Sequence, residues 1–237
     1  MNYGFRPLAI MKQRIALCGS GDNDSAVAEF VRLMDAFFGY GRDAVVQLPI
    51  KPAQEGSPGW ISDVAAQGMG SHTYEGLCNE PDMETPYTYA YARRADRVQE
   101  VVRAVKAYSF APGRGGLVGN DDSGGEAAWF VWASIGIMPI AGQPVYIIGS
   151  PSFSAVEVRL FTGDTDSDVD GGDDKLLRIQ RVGAGAYIQS GTFDGVDLNG
   201  RAWLWVHELH QKQDSILSLL MGGAPNSNWG SVPPPSF

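Results

Sequence analysis

Apolar residues recur at helical spacing in three stretches of the chain. From Asp24 to Phe38, the residues Val27, Phe30, Val31, Met34, Phe37 and Phe38 share one face, which predicts an amphipathic helix ended by Gly39 and Gly41. A second helix is predicted after Asp96. There Val98, Val101, Val102, Val105 and Tyr108 form the apolar face, Asp96 with Gln99 makes a capping box, and Pro112 and Gly113 stop the helix. The third stretch, Glu126 to Ile135, is apolar nearly all round, with Trp129, Phe130, Val131 and Trp132 in a row. That pattern predicts a buried helix closed at Gly136. Residues 42–73 show no sustained period, and Pro49, Pro52 and Pro58 with several glycines predict a long loop.

Past Pro139 the period shortens. Val145–Ile148, Ala155–Phe161, Lys175–Arg181, Ala186–Gln189, Val196–Leu198 and Ala202–Val206 are short, β-branched or alternating, and separated by Gly, Asp, Asn or Pro. They predict an antiparallel strand-rich region. Helices first and strands afterwards define an α+β arrangement, and Pro233-Pro234-Pro235 predicts an extended, exposed tail.

Composition narrows the function classes. A hydrophobic share of 44% and six tryptophans in 237 residues suffice for a sizeable core, and 30 glycines with 14 prolines argue against a plain helical bundle. The formal net charge of −9 and a pI near 4.7 exclude an electrostatic nucleic-acid binder, which needs a basic face. No apolar run reaches transmembrane length, so no membrane partner is expected. Cys18 and Cys78 provide neither a disulfide framework nor a zinc site, with one bridge or two free thiols both open. Met1 to Gln13 lacks the apolar core and small-residue cleavage site of a signal peptide.

The chemistry concentrates in oxygen-rich loops. Gly113-Arg114-Gly115-Gly116-Leu117-Val118-Gly119-Asn120-Asp121-Asp122-Ser123-Gly124-Gly125 sets six glycines around an asparagine and two adjacent aspartates, immediately before the third helix. A carboxylate pair on such a loop can take a proton, bind a hard cation or hydrogen-bond sugar hydroxyls. Asn79-Glu80-Pro81-Asp82-Met83-Glu84-Thr85-Pro86 places three carboxylates and an amide in a proline-stiffened segment. That segment suits calcium, or equally a polar helix entry with acids at the positive dipole end. The run Asp164-Thr165-Asp166-Ser167-Asp168-Val169-Asp170-Gly171 resembles a calcium loop, but the twelfth position from Asp166 is Leu177 rather than a bidentate glutamate. A solvated acidic hairpin loop is expected there. His72, His207 and His210 have no third ligand at metal spacing and read as surface or packing residues. Neither a nucleophile elbow nor a phosphate-binding Gly-Lys-Ser/Thr loop is present.

The order of these motifs carries more than any one of them. Asn79-Glu80-Pro81 with Pro86-Tyr87-Thr88-Tyr89 is followed by Arg97-Val98-Gln99 and Val102-Arg103, then by Gly116-Leu117-Val118-Gly119-Asn120-Asp121-Asp122-Ser123-Gly124. Trp129-Phe130-Val131-Trp132, Gly136-Ile137-Met138-Pro139 and Tyr146-Ile147-Ile148-Gly149-Ser150-Pro151-Ser152-Phe153 come next. This series resembles glycoside hydrolase family 92, the calcium-dependent exo-α-mannosidases, and most closely its fungal-type members. The resemblance runs from about residue 24 to the end, through Tyr187-Ile188-Gln189-Ser190, Leu198-Asn199-Gly200 and Trp229-Gly230.

The resemblance implies an inverting hydrolase that removes terminal mannose from N-linked glycans, in a family that is often secreted. It assigns the general base to Asp122, substrate contacts to Asn120 and Asp121 (the latter chiefly shaping the loop), calcium to Asn79 and Glu80, and packing to Trp129. The implied fold is the C-terminal part of an (α/α)6 barrel over residues 1–139, with 1–23 unmatched, followed by a β-rich region over 140–237. The family's general acid lies in a Glu-Gly motif several dozen residues before the Asn-Glu-Pro motif. Residues 1–23 hold no glutamate, and Tyr74-Glu75-Gly76 stands too close to Asn79 to be its counterpart. Ala127 replaces the family's usual serine. The expectation is therefore a shortened chain with impaired activity that associates through helix faces left without neighbours, the alternative being a non-catalytic carbohydrate- or calcium-binding module or an inactive remnant.

Overall fold

The computed structural model describes residues 23–38, 83–117, 119–160 and 175–235. Helix α1 (Asn23–Phe37) buries Phe30 and Ala26, with Phe30 against Ala92. Next comes an eight-residue 3₁₀ helix, Thr85–Ala92, which opens with Pro86 and is buried from Pro86 to Ala92. Three tyrosines at alternate positions, Tyr87, Tyr89 and Tyr91, make it a core element that no amphipathic period announces.

Helix α2 (Ala95–Ser109) buries Val98, Val101, Val102 and Val105, the predicted face. The predicted capping box does not form. Arg94 is the N-cap and supplies no side-chain cap. Asp96, two positions past the cap, pairs with Arg94 through two bonds of 2.7 and 2.8 Å. Gln99 turns into the core, where its amide donates to Ala95 O at 2.9 Å and accepts from Ile188 N at 2.7 Å and Ser150 Oγ at 2.9 Å.

Helix α3 (Gly125–Ile135) ends where expected, with Gly136 at φ 92° as its left-handed C-cap. Its predicted all-round burial is not observed. Glu126, Trp129, Ala133 and Ser134 are buried, whereas Phe130 is 38% and Val131 55% exposed. Phe130 nonetheless packs against the Phe110 ring at 4.8 Å between centroids.

The strands build two sheets. β1 (Ile137–Pro139), β2 (Val145–Ile148) and β7 (Trp203–Trp205) form an antiparallel sheet in the order β1-β2-β7. β3 (Ala155–Leu160), β4 (Lys175–Val182), β5 (Tyr187–Phe193), β6 (Val196–Asp197) and β8 (Asp214–Gly222) form a second sheet in the order β3-β4-β8-β5-β6. This sheet is mixed rather than wholly antiparallel. β4 and β8 run parallel, from Leu176 opposite Asp214 to Val182 opposite Leu220. Residues 183–213 carry the chain through β5, β6, β7 and the 3₁₀ helix Val206–His210, so β8 re-enters from the same end as β4. The predicted exposed tail is also corrected, because Arg201 bridges Val232, Trp203 Nε1 donates to Val232 O at 3.1 Å and Pro234 is buried.

Two apolar clusters hold these layers. One joins the helices to β1, β2 and Trp203; the other joins the larger sheet to Ala95, Ile137 and Trp229. The small sheet lies between them and fixes the end of α3 relative to the strands.

Candidate functional site

The acidic loop begins where α2 gives way to extended backbone at Phe110. Ala111 N donates to Gly116 O at 3.0 Å and Gly116 N to Gly113 O at 3.2 Å, closing a tight turn. A side chain on Gly116 would run into the Ala111 carbonyl, so glycine is required there.

Beyond Gly119 the backbone leaves ordinary regions. Asp121 has φ 54°, Ser123 φ 52° and Gly124 φ 77°, values that non-glycine residues hold only when their surroundings fix them. Gly124, at the N-cap of α3, has no side chain to cap with. Asp121 substitutes for it, since its Oδ1 accepts from Ala127 N at 2.8 Å. In the other direction the Glu126 carboxylate, 1% exposed, accepts from Gly119 N at 3.1 Å and Asp121 N at 3.4 Å. Asn120 and Asp122 are left exposed, with Asn120 Nδ2 donating to Asp122 Oδ1 at 3.2 Å. Of the three loop residues expected at the sugar, two face outward together and the third has one oxygen committed to the helix.

The loop forms one wall of a cleft of about 860 Å³. Asn120 and Asp121 meet an apolar side made of Phe110, Leu117, Phe130 and Val131, and Lys106 completes the lining. Lys106 Nζ donates to Ala133 O at 3.1 Å and Ser152 Oγ at 2.6 Å. Burial, assisted by the charge of Arg103, pulls the ammonium down to about 8.

Under the cleft, Trp129 does more than fill space. Its ring stacks on Phe110 at 5.9 Å between centroids, and its Nε1 donates to Met83 O at 2.7 Å. The Met83 side chain also presses on the start of α3, where a Cβ on Gly125 would meet Met83 Cε at 3.3 Å. Glu84 accepts from Ala141 N at 2.6 Å, and burial raises its carboxyl above the usual range against that bond. The buried Tyr91 hydroxyl has no partner among the described residues, and burial with the nearby Glu84 charge raises its pKa. No sequence period pointed to the Met83–Trp129 tie, because its acceptor is a main-chain carbonyl. Glu126 did leave a signal, as the one charge in an apolar run.

Asn79 and Glu80 lie outside the described residues, as do Tyr74-Glu75-Gly76, Cys18, Cys78, His72 and the acidic run 164–171. Among the described residues no three His, Cys, Asp or Glu side chains gather at metal-binding distance. The acidic loop offers only oxygen donors, Asn120, Asp121 and Asp122, a set that fits a hard cation such as calcium rather than a thiolate or imidazole metal. His207 stacks on Trp205 at 5.7 Å, and Glu208 accepts from Arg201 at 2.9 and 3.1 Å and from Trp205 N at 2.7 Å.

Comparison with known proteins defines the class. Residues 23–222 match the glycosyl hydrolase family 92 catalytic domain, and the chain belongs to that family. An uncharacterized secreted glycosidase of Arthroderma benhamiae is 31% identical over 166 residues, covering 66% of this chain and 20% of the relative. A family 92 α-mannosidase of Bacteroides thetaiotaomicron, solved in complex with mannoimidazole, superposes with a TM-score of 0.61 at 23% identity, covering 73% of this chain and 22% of that one. An inverting family 92 mannosidase of the same organism gives 0.60 at 25% identity, covering 89% and 26%. The chain thus spans about a fifth to a quarter of the length of these relatives.

Proposed function

We propose that this chain carries the base-bearing side of a calcium-dependent α-mannosidase site and acts on terminal α-linked mannose of N-linked glycans with inversion at the anomeric carbon. One observation carries the proposal: Trp129 ties Met83 to α3, the helix that the acidic loop opens. Met83 follows the Asn-Glu-Pro motif by two residues in sequence.

In this reading Asp122 is the general base. Its exposed carboxylate stands at the edge of the loop, where Asn120 orients it toward an incoming water. An inverting glycosidase needs such a carboxylate on the face of the sugar opposite the leaving group, with room for the water between. Asn120 also offers its carbonyl to sugar hydroxyls, and Asp121 keeps one oxygen for the same use while the other caps α3. Asn79 and Glu80 would hold calcium, which grips two sugar hydroxyls when bound. The reading expects impaired protonation of the leaving group, so turnover is expected to depend on how readily that group departs.

The helical residues up to 139 are read as part of an (α/α)6 barrel and 140–237 as its β-rich C-terminal region. Phe130 and Val131, exposed on α3, belong to the face that further barrel helices cover, and are where the chain would associate. Titration calorimetry with mannose tests the site, with binding expected in calcium and lost after chelation. Binding indifferent to calcium contradicts the assignment.

A further inference from the structure

We propose that Glu126 is the positioning residue of the acidic loop, setting the aim of Asp122 without touching substrate; this rests on the reading of Asp122 as general base. A carboxylate 1% exposed at the second position of a helix is an unusual choice, since solvation is lost on burial. Among the described residues it has no ion-pair partner, and what it receives instead are the backbone amides of Gly119 and Asp121. Those amides flank Asn120 on either side. Asp121 answers by accepting from Ala127 N, the residue after Glu126. The two carboxylates therefore clasp each other's backbone. Three hydrogen bonds close the span from Gly119 to Ala127, with the exposed Asn120 and Asp122 side chains joined to each other.

The clasp also accounts for the backbone angles. Asp121 at φ 54° and Ser123 at φ 52° hold conformations that L-residues leave unless fixed. Asp122 lies between them, so relaxing either one rotates its carboxylate. Glu126 holds the amide of Asp121, which places it at the first of these two hinges.

The test uses the full chain with calcium and 2,4-dinitrophenyl α-mannoside, together with amide hydrogen exchange read by NMR, in the wild type, Glu126→Gln and Glu126→Ala. Glu126→Ala is expected to lower kcat about 10- to 100-fold, with KM changed less than about threefold, because misaiming a reacting group by about an ångström costs turnover rather than binding. Glu126→Gln keeps one acceptor oxygen but turns an NH2 toward the other backbone amide, so it is expected to recover only part of that loss. Exchange at Gly119 and Asp121 is expected to rise at least about tenfold in Glu126→Ala, while amides in the middle of α3 keep their protection. An unchanged kcat, a loss confined to KM, or exchange that accelerates throughout α3 overturns the proposal. If the wild type itself fails to turn over the substrate, the mannosidase reading falls on its own. The exchange data then decide for Glu126: faster exchange confined to the loop supports the clasp, and unchanged exchange at Gly119 and Asp121 overturns it.

Discussion

Trp129 Nε1 donates to the carbonyl of Met83 across 46 residues of sequence, at 2.7 Å, and so fastens the helix after the acidic loop to the segment that follows Asn79-Glu80-Pro81. The ring is buried and stacked on Phe110, which leaves the indole little freedom to find another acceptor. Trp129→Phe keeps most of the apolar contact but leaves the Met83 carbonyl without this donor. Unfolding free energy from urea titration is expected to fall by about 1–3 kcal/mol. A loss below about 0.5 kcal/mol would show that the tie is not what fixes Met83.

Gln99 makes the complementary tie between α2 and the larger sheet. It is 2% exposed and satisfies Ala95 O, Ile188 N and Ser150 Oγ. Gln99→Leu fits the volume but leaves the Ile188 amide buried without an acceptor. The expected cost is about 2–4 kcal/mol. A loss below about 1 kcal/mol contradicts this assignment.

Lys106 predicts a pH signature. Its pKa falls from 10.5 in the unfolded chain to about 8 in the fold, because burial disfavours the ammonium. Between these values the unfolded state binds the proton that the folded state has released. The lysine's destabilising contribution is thus fully present below pH 8 and is relieved as pH rises toward 10.5. Relative to Lys106→Met, the wild type is expected to gain stability over that window in urea melts. Parallel pH profiles for the two proteins contradict the shift.

The helical half was largely legible because its burial is one-sided. Val98, Val101, Val102 and Val105 announce α2, and Gly136 announces the end of α3. β8 was not legible. Ser215, Leu217, Leu219 and Met221 face the core, but the outward positions include Ile216 and Leu220, so the alternation that marks a half-buried strand is blurred. The parallel pairing of β4 with β8 depends on the path of residues 183–213, which local pattern does not contain. At the site, the glycines and aspartates of 113–125 drew attention to the loop. What the sequence hid was the division of labour within it: Asp121 caps a helix through a left-handed backbone, while its neighbours Asn120 and Asp122 face out. Residue types alone give three similar polar groups; backbone angles separate them.

The central claim is that Asp122 is a general base whose turnover depends on how readily the leaving group departs. An activated leaving group such as 2,4-dinitrophenolate departs without protonation, whereas the alcohol of an α-linked dimannoside does not. The decisive measurement is kcat/KM for both substrates in calcium, for the wild type and Asp122→Asn. The account predicts turnover of the dinitrophenyl mannoside that falls at least about 100-fold in Asp122→Asn, with the dimannoside left nearly untouched by either protein. Comparable turnover of both substrates, or activity indifferent to Asp122→Asn, would contradict it.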